Sequence, residues 1–203
     1  MIPLLSAEET RNWDSYTMSS QGLTSLDLME RAAIQLYRFI EPQLKPHDDL
    51  AILAGPGNNG ADGLALASLL QRKVTVYASE DGLSPDHIHQ RKRLQNNLKV
   101  KHKSLIDFLQ GHPHTIVIDG LFGSGLTRPL EGVYKDLVER LNKETNQVIS
   151  IDIPSGMSMD KGLIGPTVQA NQTCSFQITK RVFLHPTTAP YAGQIHILDI
   201  GLE

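Results

Sequence analysis

The sequence predicts a single α/β domain over residues 1–203, with a mostly parallel central sheet and an N-terminal helical arm. Four short apolar runs rich in β-branched residues predict the strands, and they read LAILA, VTVYA, TIVID and VISID. Helical patterns separate these runs, and strands that alternate with helices are typical of right-handed βαβ units in a parallel sheet. A chain of 203 residues is long enough to bury one core of ordinary size.

Two helices are predicted before the first strand. The S-x-x-E pattern of Ser6–Glu9 is a capping box, and it predicts the start of a helix that Gly22 ends. A similar pattern at Thr24–Asp27 begins a second helix, LDLMERAAIQLYRFI, whose apolar residues recur on one stripe. Pro42 ends this helix, and the two helices together form the predicted arm.

The remaining elements follow from the same periodicities. The sequence predicts helices at 60–72, 85–98, 105–110 and 131–143. After Gly156 the pattern is less regular, and the segments TCSFQI and QIHILDI alternate in the way that edge strands do. No internal repeat, low-complexity tract or interdomain linker divides the chain.

Composition argues against several classes of protein. The formal net charge is −3 and no basic block is present, so binding to nucleic acid is not favoured. The single Cys174 cannot form an internal disulfide, the N-terminus lacks the pattern of a signal peptide, and no window approaches the ~18 apolar residues of a membrane span. We therefore expect a cytoplasmic protein without a membrane or nucleic-acid partner.

Three predicted strands end in the same kind of segment. Each apolar run leads directly into Asn or Asp with glycines close by, in AGPGNNGADG, DGLFGSGLTRP and DIPSG. Because ligands of open parallel sheets bind beyond the carboxyl ends of the strands, these segments should meet at one edge. The polar residues expected there are Asn58, Asn59, Asp62, Asp119, Asp152 and Ser155.

The two glycine-rich loops each have a functional and a structural interpretation. In the first loop, glycines let backbone N–H groups approach a phosphate at the start of the following helix, but a tight β–α turn also explains them. In the second loop, Ser124, Thr127 and Arg128 could hold an anionic ligand. Alternatively, Pro129 simply begins the next helix.

The aspartates at two strand ends also have a functional and a structural interpretation, and the histidines have a structural one. Asp119 and Asp152 each follow an apolar strand, where a carboxylate must be paired, hydrogen-bonded or metal-bound, and a loop brace is the alternative for each alone. The set of oxygen donors suits a hard, monovalent cation better than zinc. The histidine pairs of 87/89 and 112/114 are expected to be exposed and without a metal.

Together, AGPGNNGADGLALA, VIDGLFGSGLTRPLEG and VISIDIPSGMSMDKG resemble, in that order, the YjeF N-terminal family of NAD(P)H-hydrate epimerases. LMERAA near the start and YAGQIHILDIGL at the end also fit this family. The resemblance implies a Rossmann-like three-layer sandwich with helices on both faces, assembled as a homodimer. It implies an isomerase that interconverts the R and S forms of NADHX and NADPHX, with a partner dehydratase that uses the S form.

The resemblance also implies roles for individual residues. Substrate binding falls to Asp152 and to two segments, namely Asn58, Asn59, Gly60, Ala61 and Asp62, and Gly123, Ser124, Gly125, Leu126, Thr127, Arg128 and Pro129. A potassium cofactor is implied at Asn59, Asp119 and Ser155. Ala61 departs from the glycine usual in this family, and its methyl group fits if residue 61 already lies in the first turn of the helix.

Epimerisation at the hydroxylated carbon needs a proton shuttle, and three residues are candidates. Asp119 comes first, because burial at the end of an apolar strand raises a carboxyl pKa. If Asp119 is only a potassium ligand, then Asp152 or Lys180 transfers the proton. Lys180 is a candidate through the resemblance alone, since a lysine in such a loop is by default a surface charge.

Two other functions compete with this one. The first is a non-catalytic binding or scaffold module for a nucleotide-like ligand or an RNA-processing partner, because a fold does not certify catalysis. The second is an oxidoreductase that uses intact NAD(P). Such an oxidoreductase typically carries G-x-G-x-x-G followed ~20 positions later by an acidic residue that binds the ribose. No such acidic residue in a ribose-binding context follows GPGNNGADG.

Overall fold

The computed structural model describes residues 4–144 and 146–203. Its arm consists of α1 (Ala7–Gln21) and α2 (Ser25–Ile40), each with a complete capping box as predicted. Gly22 ends α1 in the left-handed conformation with φ of 65°, which glycine adopts without strain. The sequence therefore predicted both arm helices and the turn between them.

The sheet contains seven parallel strands. In chain order the described strands are β1 Leu50–Ala54, β2 Val74–Ala78, β3 Val100–Ser104, β4 Ile116–Gly120, β5 Gln147–Ile151, β6 Met157–Ser158, β7 Gly162–Leu163, β8 Gln172–Phe176 and β9 Gln194–Leu198. Strands β6 and β7 form a small antiparallel pair, and the large sheet has the order β3-β2-β1-β4-β5-β8-β9. The strand order reverses between β1 and β4, where a ligand is expected in such sheets.

Helices cover both faces of this sheet. The further helices are α3 Asn58–Leu69, α4 Pro85–Leu94, α5 Leu105–Gln110, α6 Gly132–Leu141 and α7 Ala189–Ala192. Alternate residues of β1 point to opposite faces: Ile52 packs in the cluster that contains residues of α2 and α3, and Leu53 in the one that contains residues of α5 and α6. The predicted three-layer α/β architecture is thus confirmed.

Three details differ from the prediction. Helix α4 ends at Leu94, and the polar segment VKHKS at Val100–Ser104 forms an edge strand, which lacks the apolar pattern of a buried strand. The segment TCSFQI is not an edge, because β8 lies between β5 and β9. Two histidines expected to be exposed, His87 and His114, are buried.

Within the described part of the chain, no helix is both long and apolar enough to cross a membrane.

The packing of α2 on the sheet generates a prediction about stability. Leu36 on α2 is fully buried among the residues of the core, so Leu36→Ala leaves a cavity and should lower the free energy of unfolding by about 2–5 kcal/mol. Leu98→Ala is the control, because the Leu98 side chain is fully exposed and its loss should change this free energy by less than about 0.5 kcal/mol. Urea unfolding measures both, and equal effects would contradict the described packing.

Candidate active site

One cavity of about 630 Å³ lies where the strand order reverses. Its walls are the segments that follow the carboxyl ends of β1, β2, β4, β5, β8 and β9, together with residues of α1 and α2. This volume falls in the range of sites for small molecules and cofactors. The predicted convergence of three strand ends is therefore present, and the segments after β2, β8 and β9 contribute as well.

The first glycine-rich loop leads into α3 earlier than predicted. Helix α3 begins at Asn58, so that Asn58 and Asn59 occupy its first turn and line the cavity. Gly60 is required by close packing, since a Cβ atom there would lie 1.9 Å from the carbonyl oxygen of Gly55. Ala61 packs in a buried cluster with Met29, so its extra methyl group fits in the helix as anticipated.

Helix α3 differs from both arm helices at its N-terminus. Its N-cap residue is Gly57, and no side chain caps the first backbone N–H groups. These groups carry the positive end of the helix dipole, and an anion is the partner that such a terminus favours. Because Gly57 and Asn58 line the cavity, this uncapped terminus is available to a phosphate there.

The second loop touches both the first loop and the end of β5. A Cβ atom at Gly123 would lie 3.0 Å from Oδ1 of Asn59 and 3.1 Å from Oδ2 of Asp152. The backbone N–H of Ser124 donates to Oδ2 of Asp152 over 3.1 Å. The side chain of Arg128 is exposed at the rim of the cavity. Because α6 begins at Gly132, the alternative role for the loop as the start of that helix does not hold.

The predicted substrate-binding residues divide into two groups. Those that line the cavity are Asn58, Asn59, Asp62, Gly123, Ser124, Gly125, Leu126, Thr127, Arg128 and Asp152. Those outside its lining are Gly60, Ala61 and Pro129, of which Pro129 lies against Gly165. Lys180 lines the cavity, whereas Asp119 and Ser155 lie beneath it, fully buried.

Asp152 and Lys180 form a buried ion pair at the base of the cavity. Nζ of Lys180 lies 2.8 Å from Oδ1 of Asp152, and it also donates to the carbonyl oxygen of Phe176 over 2.9 Å. Lys180 is 1 % exposed and Asp152 is 8 % exposed, so Lys180 is not the surface charge that its loop position suggests by default. Burial alone would raise the pKa of Asp152, but the Lys180 ammonium and the bond from Ser124 hold that pKa below its ordinary range.

The backbone at Asp152 is also unusual. Its φ is 65°, a left-handed conformation that is uncommon for residues other than glycine and that costs free energy. Its backbone N–H donates to the carbonyl oxygen of Cys174 over 2.8 Å, which fixes this turn against β8. The conformation directs the carboxylate to Lys180 and the second loop.

Asp119 is held by neutral donors only. Its Oδ1 accepts from Oγ of Ser155 over 2.6 Å, and its Oδ2 accepts from Oγ of Ser150 over 2.8 Å and from the backbone N–H of Ser155 over 2.9 Å. Burial raises the pKa of Asp119, although the hydrogen bonds from Ser155 and Ser150 oppose the rise. Oγ of Ser155 also accepts from the backbone N–H of Phe122 over 2.8 Å, so this buried group supports the second loop from below.

Comparison with known proteins identifies the family. A family model described as YjeF-related protein N-terminus matches residues 25–182, which is well over half of the chain. The chain belongs to this family.

Curated proteins similar to this member of the YjeF-related family share one name. A protein of Lentilactobacillus buchneri named NAD(P)H-hydrate epimerase is 34 % identical over 100 % of this chain and 96 % of its own length. Proteins of the same name from Oenococcus oeni and Limosilactobacillus reuteri are 32 % and 31 % identical, each over 98 % of this chain and 96 % of its own length. The similarity therefore covers the arm, the sheet and every segment that lines the cavity.

The cavity of this YjeF-related chain contains an acidic residue that sequence reasoning missed. Asp14 on α1 lines the cavity, where burial and the nearby Asp152 raise its pKa to about 6. Asp62 also lines it, and burial together with Asp152 and Asp14 raises the Asp62 pKa well above its ordinary range. No sequence pattern around Asp14 indicates a functional site, because its contact with the cavity depends on how the arm packs on the sheet.

The raised pKa of Asp14 makes its contribution to stability depend on pH. The folded state binds the Asp14 proton more tightly than the unfolded state, in which an aspartate titrates near pH ~3.9. The resulting stabilisation is present below pH ~4 and is lost as the pH rises through about 6. Asp14→Asn should therefore gain stability relative to the native chain between pH 4.5 and pH 7.

Urea unfolding of both proteins at these two pH values measures this gain. The matched control is Asp136→Asn, which changes an exposed aspartate on α6 and should show the same difference from the native chain at both pH values. An Asp14→Asn difference that stays constant with pH would contradict the raised pKa.

Proposed function

We propose that this chain is an isomerase that interconverts the R and S forms of NADHX and NADPHX, the hydrates of the reduced nicotinamide cofactors. The observation that carries the proposal is the placement of the Asp152–Lys180 pair between two glycine-rich loops in the main cavity. The relatives that match nearly the whole chain are named NAD(P)H-hydrate epimerase. Together these findings support an active site rather than a scaffold.

The phosphate-bearing part of the substrate is proposed to bind at the start of α3. The uncapped N–H groups beyond Gly57 favour an anion, and glycines leave room for its oxygens. Arg128, exposed at the rim, can donate two parallel hydrogen bonds to a phosphate. This arrangement leaves the hydrated nicotinamide ring to occupy the part of the cavity beside Asp152.

The proposed reaction uses carboxyl groups in different protonation states. A protonated carboxyl donates a proton to the departing hydroxyl group, water leaves, and the ring carbon becomes planar and iminium-like. Asp62 is the proposed donor because its raised pKa keeps it protonated, with Asp14 as a neighbouring group that titrates near pH 6. Carboxyl groups whose environments separate their pKa values commonly divide acid and base roles in this way.

The ionised carboxylate of Asp152 faces the positive charge that develops on the ring. It stabilises this charge, and it accepts a proton from the water that attacks the opposite face of the planar carbon. This proton then returns to Asp62, which restores both carboxyl groups for the next turnover. Lys180 keeps Asp152 ionised and oriented. Opening and closing of the ring at the same carbon would give the same products and would use the same acid and base.

Asp119 is better suited to a supporting role than to the proton shuttle. It lies beneath the cavity, where Ser150 and Ser155 and the backbone occupy its carboxylate oxygens. Proton transfer between Asp119 and the substrate would require the floor of the cavity to open. We therefore assign the shuttle to the groups that line the cavity.

A potassium ion fits the donors around Asp119. Asp119 is a fully buried carboxylate, and among the described residues no lysine, arginine or histidine lies within ion-pair distance of it. Asn59 is nearly buried, and its amide oxygen is a neutral ligand of the kind that a hard cation takes. We propose that Asn59, Asp119 and Ser155 hold K⁺, which would supply the missing positive charge and stiffen the loops.

Three further features belong to the proposal. We propose that a dehydratase specific for the S form consumes the product, because epimerisation alone does not restore the cofactor. We also propose that the chain works in the cytoplasm and as a homodimer.

An assay of NADHX interconversion tests the function. The protein is mixed with racemic NADHX and an S-specific dehydratase, and consumption of the R form is followed. Asp152→Asn should lower kcat/KM by about 10²–10⁴-fold, the range for loss of an acid–base group, while Asp136→Asn should leave it unchanged. Full activity in Asp152→Asn would remove Asp152 from the mechanism, and no acceleration by the native chain would favour a binding module.

Cation dependence of stability tests the potassium site separately from activity. At equal ionic strength, the Tm should be several degrees higher in KCl than in LiCl, because a ligand that binds only the folded state stabilises it. Ser155→Ala should abolish this difference, whereas Ser15→Ala on the exposed face of α1 should retain it. Equal Tm values in the two salts would contradict the proposed site.

A further inference from the structure

A group of side chains of types that can bind a metal lies at the amino ends of β1 and β4, whereas the cavity lies beyond the carboxyl ends of the strands. Asp49 directly precedes β1, and His112 and His114 precede β4. One ligand atom from each of the three residues lies within 4.8 Å of the other two. The sequence placed the two histidines in an exposed turn, but only His112 is exposed, and His114 is 3 % exposed.

The contacts within this group are short. Oδ2 of Asp49 lies 2.9 Å from Nδ1 of His114 and 3.1 Å from Nε2 of His112. In a tetrahedral zinc site with bonds of about 2.0–2.2 Å, neighbouring ligand atoms are about 3.3–3.6 Å apart. The two contacts of Asp49 are therefore slightly shorter than the spacing that one ion requires, and the ligand atoms of the two histidines lie within 4.8 Å of each other.

Nδ1 of His114 provides an independent observation. This nitrogen is buried, and its contact with Oδ2 of Asp49 at 2.9 Å is short but poorly directed for a hydrogen bond. A buried nitrogen without a partner is costly. A metal ion between Nδ1 and the carboxylate would remove that cost.

The other side of the His114 ring is arranged as in a metal ligand. Its Nε2 lies 2.8 Å from the hydroxyl oxygen of Tyr77, and the pair is buried. If Nε2 donates its hydrogen to Tyr77, the lone pair is on Nδ1, which lies on the side of the ring near Asp49. Histidine ligands of metals usually donate their second ring N–H to a partner in this way, and that bond sets their orientation.

Backbone bonds hold the ligands in place before any ion arrives. The carbonyl oxygen of Asp49 accepts from the backbone N–H groups of Thr115 and Ile116, over 3.0 Å and 3.2 Å. The backbone N–H of Asp49 donates to Oγ1 of Thr115 over 3.2 Å. Asp49 and His114 thus lie next to the first backbone hydrogen bonds that join β1 to β4.

We propose that Asp49, His112 and His114 bind one divalent transition-metal ion of the zinc class. Two imidazoles and one carboxylate are a ligand set that Zn²⁺ accepts, with a fourth position left to water. The exposed ring of His112 gives the ion a path from solvent. The ion joins the start of β1 to the start of β4, and these two strands are far apart in the sequence. It therefore stabilises the fold without entering the cavity.

Binding of Zn²⁺ to the untagged, chelator-treated full chain tests this proposal. Isothermal titration should show one ion per chain, and Zn²⁺ should raise the Tm. His112→Ala removes an exposed ligand with little risk to folding and should weaken binding at least roughly tenfold, since even outer partners of a metal site are worth about 10–100-fold. Asp49→Asn, which keeps the shape of the side chain, should weaken it similarly.

His89→Ala is the matched control, because it removes an exposed histidine on α4 and should bind Zn²⁺ as the native chain does. Tyr77→Phe tests orientation, since it keeps the ring packing but removes the hydroxyl group and should also weaken binding. NADHX epimerisation by His112→Ala should equal that of the native chain. The proposal is overturned if one-to-one binding is absent, or if His112→Ala and His89→Ala bind Zn²⁺ equally.

Discussion

The ion pair between Asp152 and Lys180 is the interaction on which the cavity depends. It joins the end of β5 to the segment after β8, and through Ser124 it also fixes the second glycine-rich loop. Two charges buried this deeply are tolerated only as a pair, and removal of one partner leaves the other uncompensated. The left-handed backbone at Asp152 is retained because it delivers the carboxylate to this position.

Asp119 and Asp152 show how different environments give two residues of the same type different pKa values. Asp119 lies near the end of a neighbouring strand and is more deeply buried than Asp152, but its partners are hydroxyl and N–H groups instead of an ammonium. The pKa of Asp119 is accordingly raised and that of Asp152 is lowered. One group therefore suits a supporting cation, and the other suits charge stabilisation beside the substrate.

The sequence was most informative where local rules decide the structure. Capping boxes predicted the starts of both arm helices, and apolar runs that end in Asn or Asp predicted the edge at which the cavity lies. Local rules did not predict the polar edge strand at Val100–Ser104. They also missed Asp14 and the burial of His114, because both depend on packing between distant segments.

The most direct test of this account is the carboxyl ¹³C titration of Asp152, followed by NMR in the folded protein and assigned with Asp152→Asn. The account predicts that Asp152 titrates below the ordinary range of aspartate, since Lys180 holds its pKa down, and that Lys180→Met raises this pKa. A pKa in the ordinary range that is unchanged in Lys180→Met would contradict the role given to the ion pair.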